Sequence, residues 1–271
     1  MSAPRVTAIV TVFNGEDFVA HAVESLLAQT LHDIEILIVN DGSTDGTFAI
    51  LDALSDPRLR IIHLPRSGRA AALAMACREA RGRYIANLDA DDISYPERLE
   101  RQAAFLDAHP DHAWVGCGEE QEDSRRGEHH RRIYPLSDME IRRQSAKCIP
   151  YCHSGAMFRR SLIDEGINYD PAQPYLIDFE FFLRVAERHK VANLPEVLVK
   201  RYVRGESFFQ SRYKTWRQNL RLARLCARAV RRFGLPVRFY LYPLARLIYP
   251  YIPHGLKRRI RQRHGLEETD A

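Results

Sequence analysis

Two short stretches of this chain hold residues whose types and spacing could do chemistry. Leu88-Asp89-Ala90-Asp91-Asp92 sets three carboxylates within four residues, directly after the largely apolar run Tyr84 to Leu88. Charges that close repel, and a hard divalent cation such as Mg²⁺ or Mn²⁺, which takes oxygen ligands, relieves the repulsion. Taken alone, the cluster reads first as a solvated acidic loop that caps the next helix, and the surrounding chain has to decide. A second polar, turn-forming stretch, Asn40-Asp41-Gly42-Ser43-Thr44-Asp45-Gly46-Thr47, follows the apolar run Ile34 to Val39. Open α/β sheets bind ligands outside the carboxyl ends of their strands, so two such loops at one sheet edge describe a site.

A sheet has to present these loops. Val6-Thr7-Ala8-Ile9-Val10-Thr11-Val12 is β-rich and almost continuously apolar, the pattern of a central strand covered on both faces. Asn14-Gly15 breaks it, and Phe18, Val19, Val23, Leu26 and Leu27 then recur at helical spacing within Glu16 to Gln29. Further strands are expected at Ile34 to Val39, Leu59 to Leu64 and Tyr84 to Leu88. An Ala-rich helix is expected from Gly68 to Ala80, with Gly82 suited to its C-terminal cap. Ser94-Tyr95-Pro96-Glu97 reads as a capping box that opens a helix through about Ala108. Strands and helices alternating in this way indicate an α/β fold with a doubly wound, mostly parallel sheet of the nucleotide-binding type.

The pattern weakens after a strand at Ala113 to Cys117. Glu119 to Arg132 is charged and poor in apolar residues, as a mobile loop or exposed hairpin would be. Ser137 to Lys147 is a second capped helix, with Glu140 three residues after Ser137. Asp178 opens a helix with Phe181, Phe182, Val185 and Ala186 at apolar positions, and Val191 to Tyr202 is extended. Between Tyr213 and Phe233 a helix carries Arg217, Arg221, Arg224, Arg228 and Arg231 as one stripe. Leu235 to Pro253 is apolar and aromatic, but prolines interrupt it and Arg238 and Arg246 lie within it. A membrane span needs roughly 20 mostly apolar residues, so this segment reads as interfacial.

Composition bounds the rest. The chain has 271 residues, enough for one sizeable core or two small ones, and its 45% hydrophobic and 28% charged content is that of an ordinary globular protein. Five scattered cysteines with no secretory leader read as reduced thiols of a cytosolic protein. The net charge of +5 is unevenly spread: Arg201 to Ala271 holds 17 Lys/Arg against 4 Asp/Glu, and the remainder 23 against 31. A basic tail on an acidic body fits contact with nucleic acid or with an anionic membrane surface.

With both acidic loops at one sheet edge, the sequence closely resembles the family 2 glycosyltransferases, inverting enzymes of the GT-A fold. The matching stretches are Thr7 to Phe18, Ile38 to Asp45, Ala80 to Gln102, His153 to Arg160 and Asp178 to Leu194. The resemblance implies that Asp41 accepts a hydrogen bond from the nucleotide base, usually uracil, with Thr11, Phe13 and Ser43 beside it. It implies that Asp89 contacts the ribose or the metal, and that Asp91 holds Mn²⁺ or Mg²⁺ against the diphosphate. Asp178 matches the family's catalytic base, which takes the proton of the attacking hydroxyl. Many relatives have Glu before that Asp, where this chain has Ile177, which leaves Glu180 as a backup base on the acceptor side. His153 is implied to be an acceptor-pocket residue.

Other side chains keep plainer alternatives. Asp41 could make only an Asx turn, Asp92 could cap a helix, and Asp178 could be an N-cap. Arg66 and Arg69, ahead of the Ala-rich helix, are diphosphate candidates or solvated surface arginines. Arg204 stands where relatives often carry a His; it cannot ligate a metal but could clamp phosphate. Cys148, Cys152 and His153 lack a fourth ligand at zinc spacing.

The expectation is therefore a GT-A catalytic domain over residues 1–205 and a basic, amphipathic helical region over 206–271. The donor is expected to be a nucleotide sugar, UDP-linked, and the acceptor a hydroxyl of a bacterial surface glycan or its lipid-linked precursor. The expected location is the cytoplasm or the cytoplasmic face of the inner membrane, with peripheral contact to anionic lipid and no nucleic-acid partner. The competing classes are a sugar nucleotidyltransferase, for which no Gly-rich, Lys-containing triphosphate loop is evident, and a nucleic-acid-binding protein using the basic tail.

Overall fold

The computed structural model describes residues 3–123, 127–203 and 216–248. The chain divides into two compact units, one of Met1–Gln144 with Ile149–Val203, the other of Ser145–Cys148 with Arg204–Ala271.

The first unit is a mixed α/β layer structure. Strand β1 (Val6–Val12) lies at the centre of a parallel half-sheet, between β2 (Ile34–Asp41) and β4 (Tyr84–Asp89), with β3 (Leu59–Leu64) outside β2. Both faces are covered. Val6, Ala8, Val10, Ile36, Ile38, Ala86 and Leu88 join the core that holds α1 (Val19–Leu27) and α4 (Arg98–Ala108). Side chains alternate along a strand, so Ile9, Leu37 and Ile85 face the other layer, where the buried alanines of α3 (Arg69–Glu79) pack on β1 and β2.

Past β4 the sheet becomes mixed. β8 (Met157–Arg159) is antiparallel to β4 and to β6 (His112–Asp123), β6 is parallel to β9 (Lys190–Val203), and β5 (Ile93–Ser94) closes the order antiparallel to β9. The charged stretch after Gly118 is a hairpin in which β6 pairs with β7 (Glu128–Arg132). An aromatic cluster around Trp114, stacked on Phe158 at 5.5 Å and edge-on to Phe181 and Phe182, anchors α7 (Ile177–Ala186) to this half. Helices α2 (Thr47–Asp52), α5 (Asp138–Ser145) and α6 (Ser161–Asp164) are short.

Local chemistry departs from the sequence reading at a few points. Ser94 opens no capping box: it belongs to β5, its Oγ accepts from Gln29 Nε2 at 3.1 Å, and α4 begins only at Arg98. The helix start is satisfied from a distance, since Gln29 Oε1 accepts the Leu99 N–H at 3.0 Å. Gly82 is not the cap of α3, whose C-cap is Ala80; a Cβ at Gly82 would run into the backbone of Val6 and Thr7, and its N–H reaches Thr7 Oγ1 at 2.8 Å. The capping box at Ser137 and Glu140 does form, each backbone N–H meeting the other's side chain at 3.2 and 3.4 Å.

In the second unit, α8 (Trp216–Arg232) buries Leu222, Leu225, Cys226, Ala229 and Val230. Gly234, at φ 62, ends it with the Leu235 N–H on the Val230 carbonyl at 3.0 Å, a left-handed stop that favours glycine. A 3-10 turn (Val237–Tyr240) leads into α9 (Leu241–Ile248), which packs on α8.

Candidate functional site

The strand register brings the two acidic loops together. Thr11 pairs with Asp89 and Val12 with Asn40, so the ends of β2 and β4 flank the end of β1, one on each side. The order β3-β2-β1-β4 also reverses here, from crossovers running toward β3 to one running toward β4, which is where an open α/β sheet leaves a crevice.

On the β2 side Asp41 is 2% exposed. It makes no Asx turn; the neighbouring Asn40 ties the loop instead, its Oδ1 accepting the Ser43 N–H three residues on at 3.1 Å. The Asp41 carboxylate instead gathers the segment ahead of α3: it accepts from Ser67 N at 2.6 Å, Ser67 Oγ at 2.8 Å, Gly68 N at 3.0 Å and the Arg66 guanidinium. Gly42, at φ 69, has to be glycine because a Cβ would lie 2.5 Å from the Arg66 nitrogen. The same guanidinium lies 3.5 Å above the centre of the half-exposed Phe13 ring. A planar, hydrogen-donating group thus sits on an aromatic face with a carboxylate at its edge. Ser43 closes the loop onto β1, its Oγ accepting from Asn14 N at 2.9 Å, while Glu16, Asp45 and Thr47 complete the lacing through Gly46 N, Glu16 N and Gly15 N.

On the β4 side Asp89 is held by Arg69 Nη2 at 2.7 Å and by His153 Nδ1 at 3.2 Å, both on Oδ1; His153 is braced in turn by Tyr169 at 3.0 Å. Burial opposes ionisation of Asp89, but Arg69 and His153 outweigh it and hold the carboxyl well below its usual range. Asp91 moves the other way, raised by burial and by the charge of Asp89. Asp92 is pushed up to about 8 by burial and by the two other carboxylates, against the pull of Arg201. It caps no helix: Ser154 donates to it, and Arg201 lies 3.4 Å away. Arg201 continues to Glu119 at 3.1 Å, a fully buried carboxylate that also accepts from Tyr134 at 2.5 Å.

Asp178 lies in the first turn of α7, but Leu176, at φ 54, is the N-cap. Asp178 makes no side-chain hydrogen bond to another described residue, and its charge, with those of Asp89 and Asp91, bears on the Arg69 guanidinium. Glu180 is buried and paired with Arg184 at 2.9 Å, so it is committed within its own helix. The structure therefore brings Phe13, Asp41, Ser43 and Arg66 to one end of the crevice, and Arg69, Asp89, Asp91, His153 and Asp178 to the other, with Thr11 on β1 between them, paired with Val39 and Asp89. Arg204 lies outside the described residues.

The fit to a divalent cation rests on the donor set. Among the described residues no group of three or more His, Cys, Asp or Glu could hold a metal by itself. Asp89 and Asp91 are two hard donors, and every hydrogen bond to the Asp89 carboxylate from a described residue goes to Oδ1, which leaves Oδ2 for a cation. Mg²⁺ is commonly held by one or two carboxylates with the substrate's phosphates and water completing the shell, and this pair fits that half-site.

Sequence reasoning missed Asn14, Asn87, Ser154, Tyr169, Glu119 and Arg201. Only the Asn-Gly turn at Asn14 carried a local signal; the others act through contacts far apart in sequence.

A model of glycosyl transferase family 2 matches residues 7–167, which include every residue named here up to His153 and Ser154 and stop short of Asp178. Over its whole length the chain is 32% identical to the putative glycosyltransferase EpsE of Bacillus subtilis (strain 168), covering 98% of that protein. It is 28% identical to the amylovoran biosynthesis glycosyltransferase AmsE of Erwinia amylovora, over 90% of this chain and 93% of the other. Among solved structures, S. aureus TarS 1-349 in complex with UDP-GlcNAc matches with a TM-score of 0.70 at 19% identity, over 90% of this chain and 73% of that one. The mannosyltransferase PcManGT from Pyrobaculum calidifontis, in complex with GDP-Man and Mn²⁺, matches with a TM-score of 0.66 at 22% identity, over 92% and 70%. At those identities the structures speak for the GT-A fold, and the family match together with the full-length relative establishes that this chain belongs to glycosyl transferase family 2.

Proposed function

We propose that this protein is an inverting, metal-dependent glycosyltransferase that moves a hexosyl or N-acetylhexosaminyl group from a UDP-sugar to a hydroxyl of a surface polysaccharide or its lipid-linked precursor. One observation carries the reading: an aromatic ring and a buried carboxylate, Phe13 and Asp41, face a cluster of carboxylates at Asp89 and Asp91 across the end of a single strand. That is the layout a nucleoside diphosphate needs, with base at one end and diphosphate at the other. AmsE is named for amylovoran biosynthesis, and the TarS and PcManGT complexes hold UDP-GlcNAc and GDP-Man with Mn²⁺ respectively; these support the substrate class.

The residues divide the work as follows. A uracil ring stacks on Phe13 and presents its imide N–H to Asp41, beside Thr11 and Ser43. The Arg66 guanidinium already occupies that seat, so base binding displaces it, and it then lies free to meet a phosphate. Asp91 with Asp89 would hold the Mn²⁺ or Mg²⁺, which supplies positive charge against the departing diphosphate. Arg69 keeps Asp89 ionised and adds a second cation at the same place. Asp178 takes the proton of the acceptor hydroxyl as its oxygen attacks the anomeric carbon opposite the leaving group, which inverts the configuration. His153, between Asp89 and Tyr169, orients Asp89. Transfer from a panel of UDP-sugars to polysaccharide fragments, with Asp178→Asn and Asp91→Ala alongside, tests this reading. Full activity in both variants would remove the site assignment.

A further inference from the structure

Between Trp216 and Ile248 the chain carries eight arginines and no Asp or Glu. Arg217, Arg224, Arg231 and Arg238 are exposed. Within the same unit, the turn before α9 and α9 itself turn several apolar side chains outward. Val237, Leu241, Leu244 and Ile248 follow one another at intervals of four, three and four residues, which is one stripe of a helix, and they are 81%, 67%, 54% and 62% exposed. The residue α9 buries is Pro243. Tyr242 lies beneath the Lys147 ammonium at 4.8 Å, and Arg246 donates to the Lys147 carbonyl at 3.0 Å. A contiguous apolar stripe left in water marks a contact surface.

Charge decides what covers it. A second copy of the chain would bring one acid-free arginine cluster against another, and such like-charge juxtaposition is unfavourable. A bilayer with anionic headgroups satisfies both features, since its acyl boundary takes the stripe and its phosphates take the guanidinium groups. No helix among the described residues is long and apolar enough to cross a membrane. The eight residues of α9, at 1.5 Å each, reach less than half of the roughly 30 Å hydrocarbon layer. We propose that this face lies flat on an anionic bilayer, with Val237, Leu241, Leu244 and Ile248 entering the acyl boundary and the surrounding arginines on the headgroups. The inference stands independently of the donor and acceptor.

The test is cosedimentation of the full chain with vesicles of phosphatidylcholine, alone or with about one-third phosphatidylglycerol. The chain should pellet with the anionic vesicles and not with the neutral ones, less so as salt rises. The neutral pair Leu241→Ser with Leu244→Ser should bind about tenfold more weakly at an unchanged melting temperature. Should that pair fail to fold, Ile248→Ser should show the same direction, and Arg238→Gln should weaken binding to the anionic vesicles while making it less sensitive to salt. Binding untouched by removal of the stripe would overturn the proposal, leaving simple charge attraction. So would duplex DNA displacing the chain from vesicles at equal charge, or a solution dimer that Leu244→Ser dissolves.

Discussion

Asp91 is poorly satisfied by the described residues around it. It sits beside an ionised Asp89, gains no hydrogen bond from another described residue and is raised by both burial and that neighbour. Replacing it with Ala should cut sugar transfer at least about a hundredfold and should abolish Mn²⁺-dependent thermal stabilisation, read by a melting curve with and without the ion. Arg66 yields a sharper expectation. Because its guanidinium holds the seat between Phe13 and Asp41, Arg66→Ala should bind uridine roughly threefold to tenfold more tightly in calorimetry, since nothing has to be displaced. UDP should gain less or lose affinity, as the same side chain is then missing at the phosphate. Equal changes for uridine and UDP would rule out displacement. The sequence could mark Asp41 and Phe13 for this pocket, but not that Arg66 fills it, because that depends on Gly42 letting the Arg66 backbone approach.

At the scale of elements, the hairpin of β6 and β7 hides a charge that no pattern announced. Glu119 opens the charged stretch that reads as a mobile loop or exposed hairpin, yet within that hairpin it is fully buried between Arg201 and Tyr134. Burial raises its carboxyl, but Arg201 and the hydrogen bond from Tyr134 outweigh burial and hold it below the ordinary value of 4.5. A group depressed in the folded state contributes stability that is fully present above its unfolded value and lost as pH falls through the folded one. Denaturant unfolding should therefore show Glu119→Gln about 1–3 kcal/mol less stable than the parent at neutral pH, with the gap closing below pH 4.5. Gly82→Ala should cost about 1–3 kcal/mol in the same measurement, because its Cβ meets backbone rather than a side chain that can turn aside.

These two residues show why the sequence was legible only in part. β1 and β3 lie where their β-branched runs predict, α1 follows its apolar spacing and α3 its Ala-rich run, because those signals are local. Gly82 and Ser94 read as helix punctuation, but each serves a partner far away, Thr7 and Gln29 respectively. α2 gave no periodic signal over its six residues and depends on Asp45, which accepts the Thr47 N–H at 3.1 Å.

For the molecule as a whole, a donor that binds only the folded chain must stabilise it. UDP-sugar with Mn²⁺ at about a hundred times its dissociation constant should add about 2.7 kcal/mol, seen as a rise in the melting temperature of the catalytic unit. UDP alone should add less, and GDP less again if the Asp41 pocket selects uracil. The most direct test of the central claim needs no acceptor, since water can take its place. An α-linked UDP-sugar incubated with the protein and Mn²⁺ should release the β-anomer of the sugar first, followed by proton NMR before mutarotation. Asp178→Asn should slow that release by about 10²–10⁴-fold while still binding UDP. Initial release of the α-anomer, or undiminished release by Asp178→Asn, would contradict it.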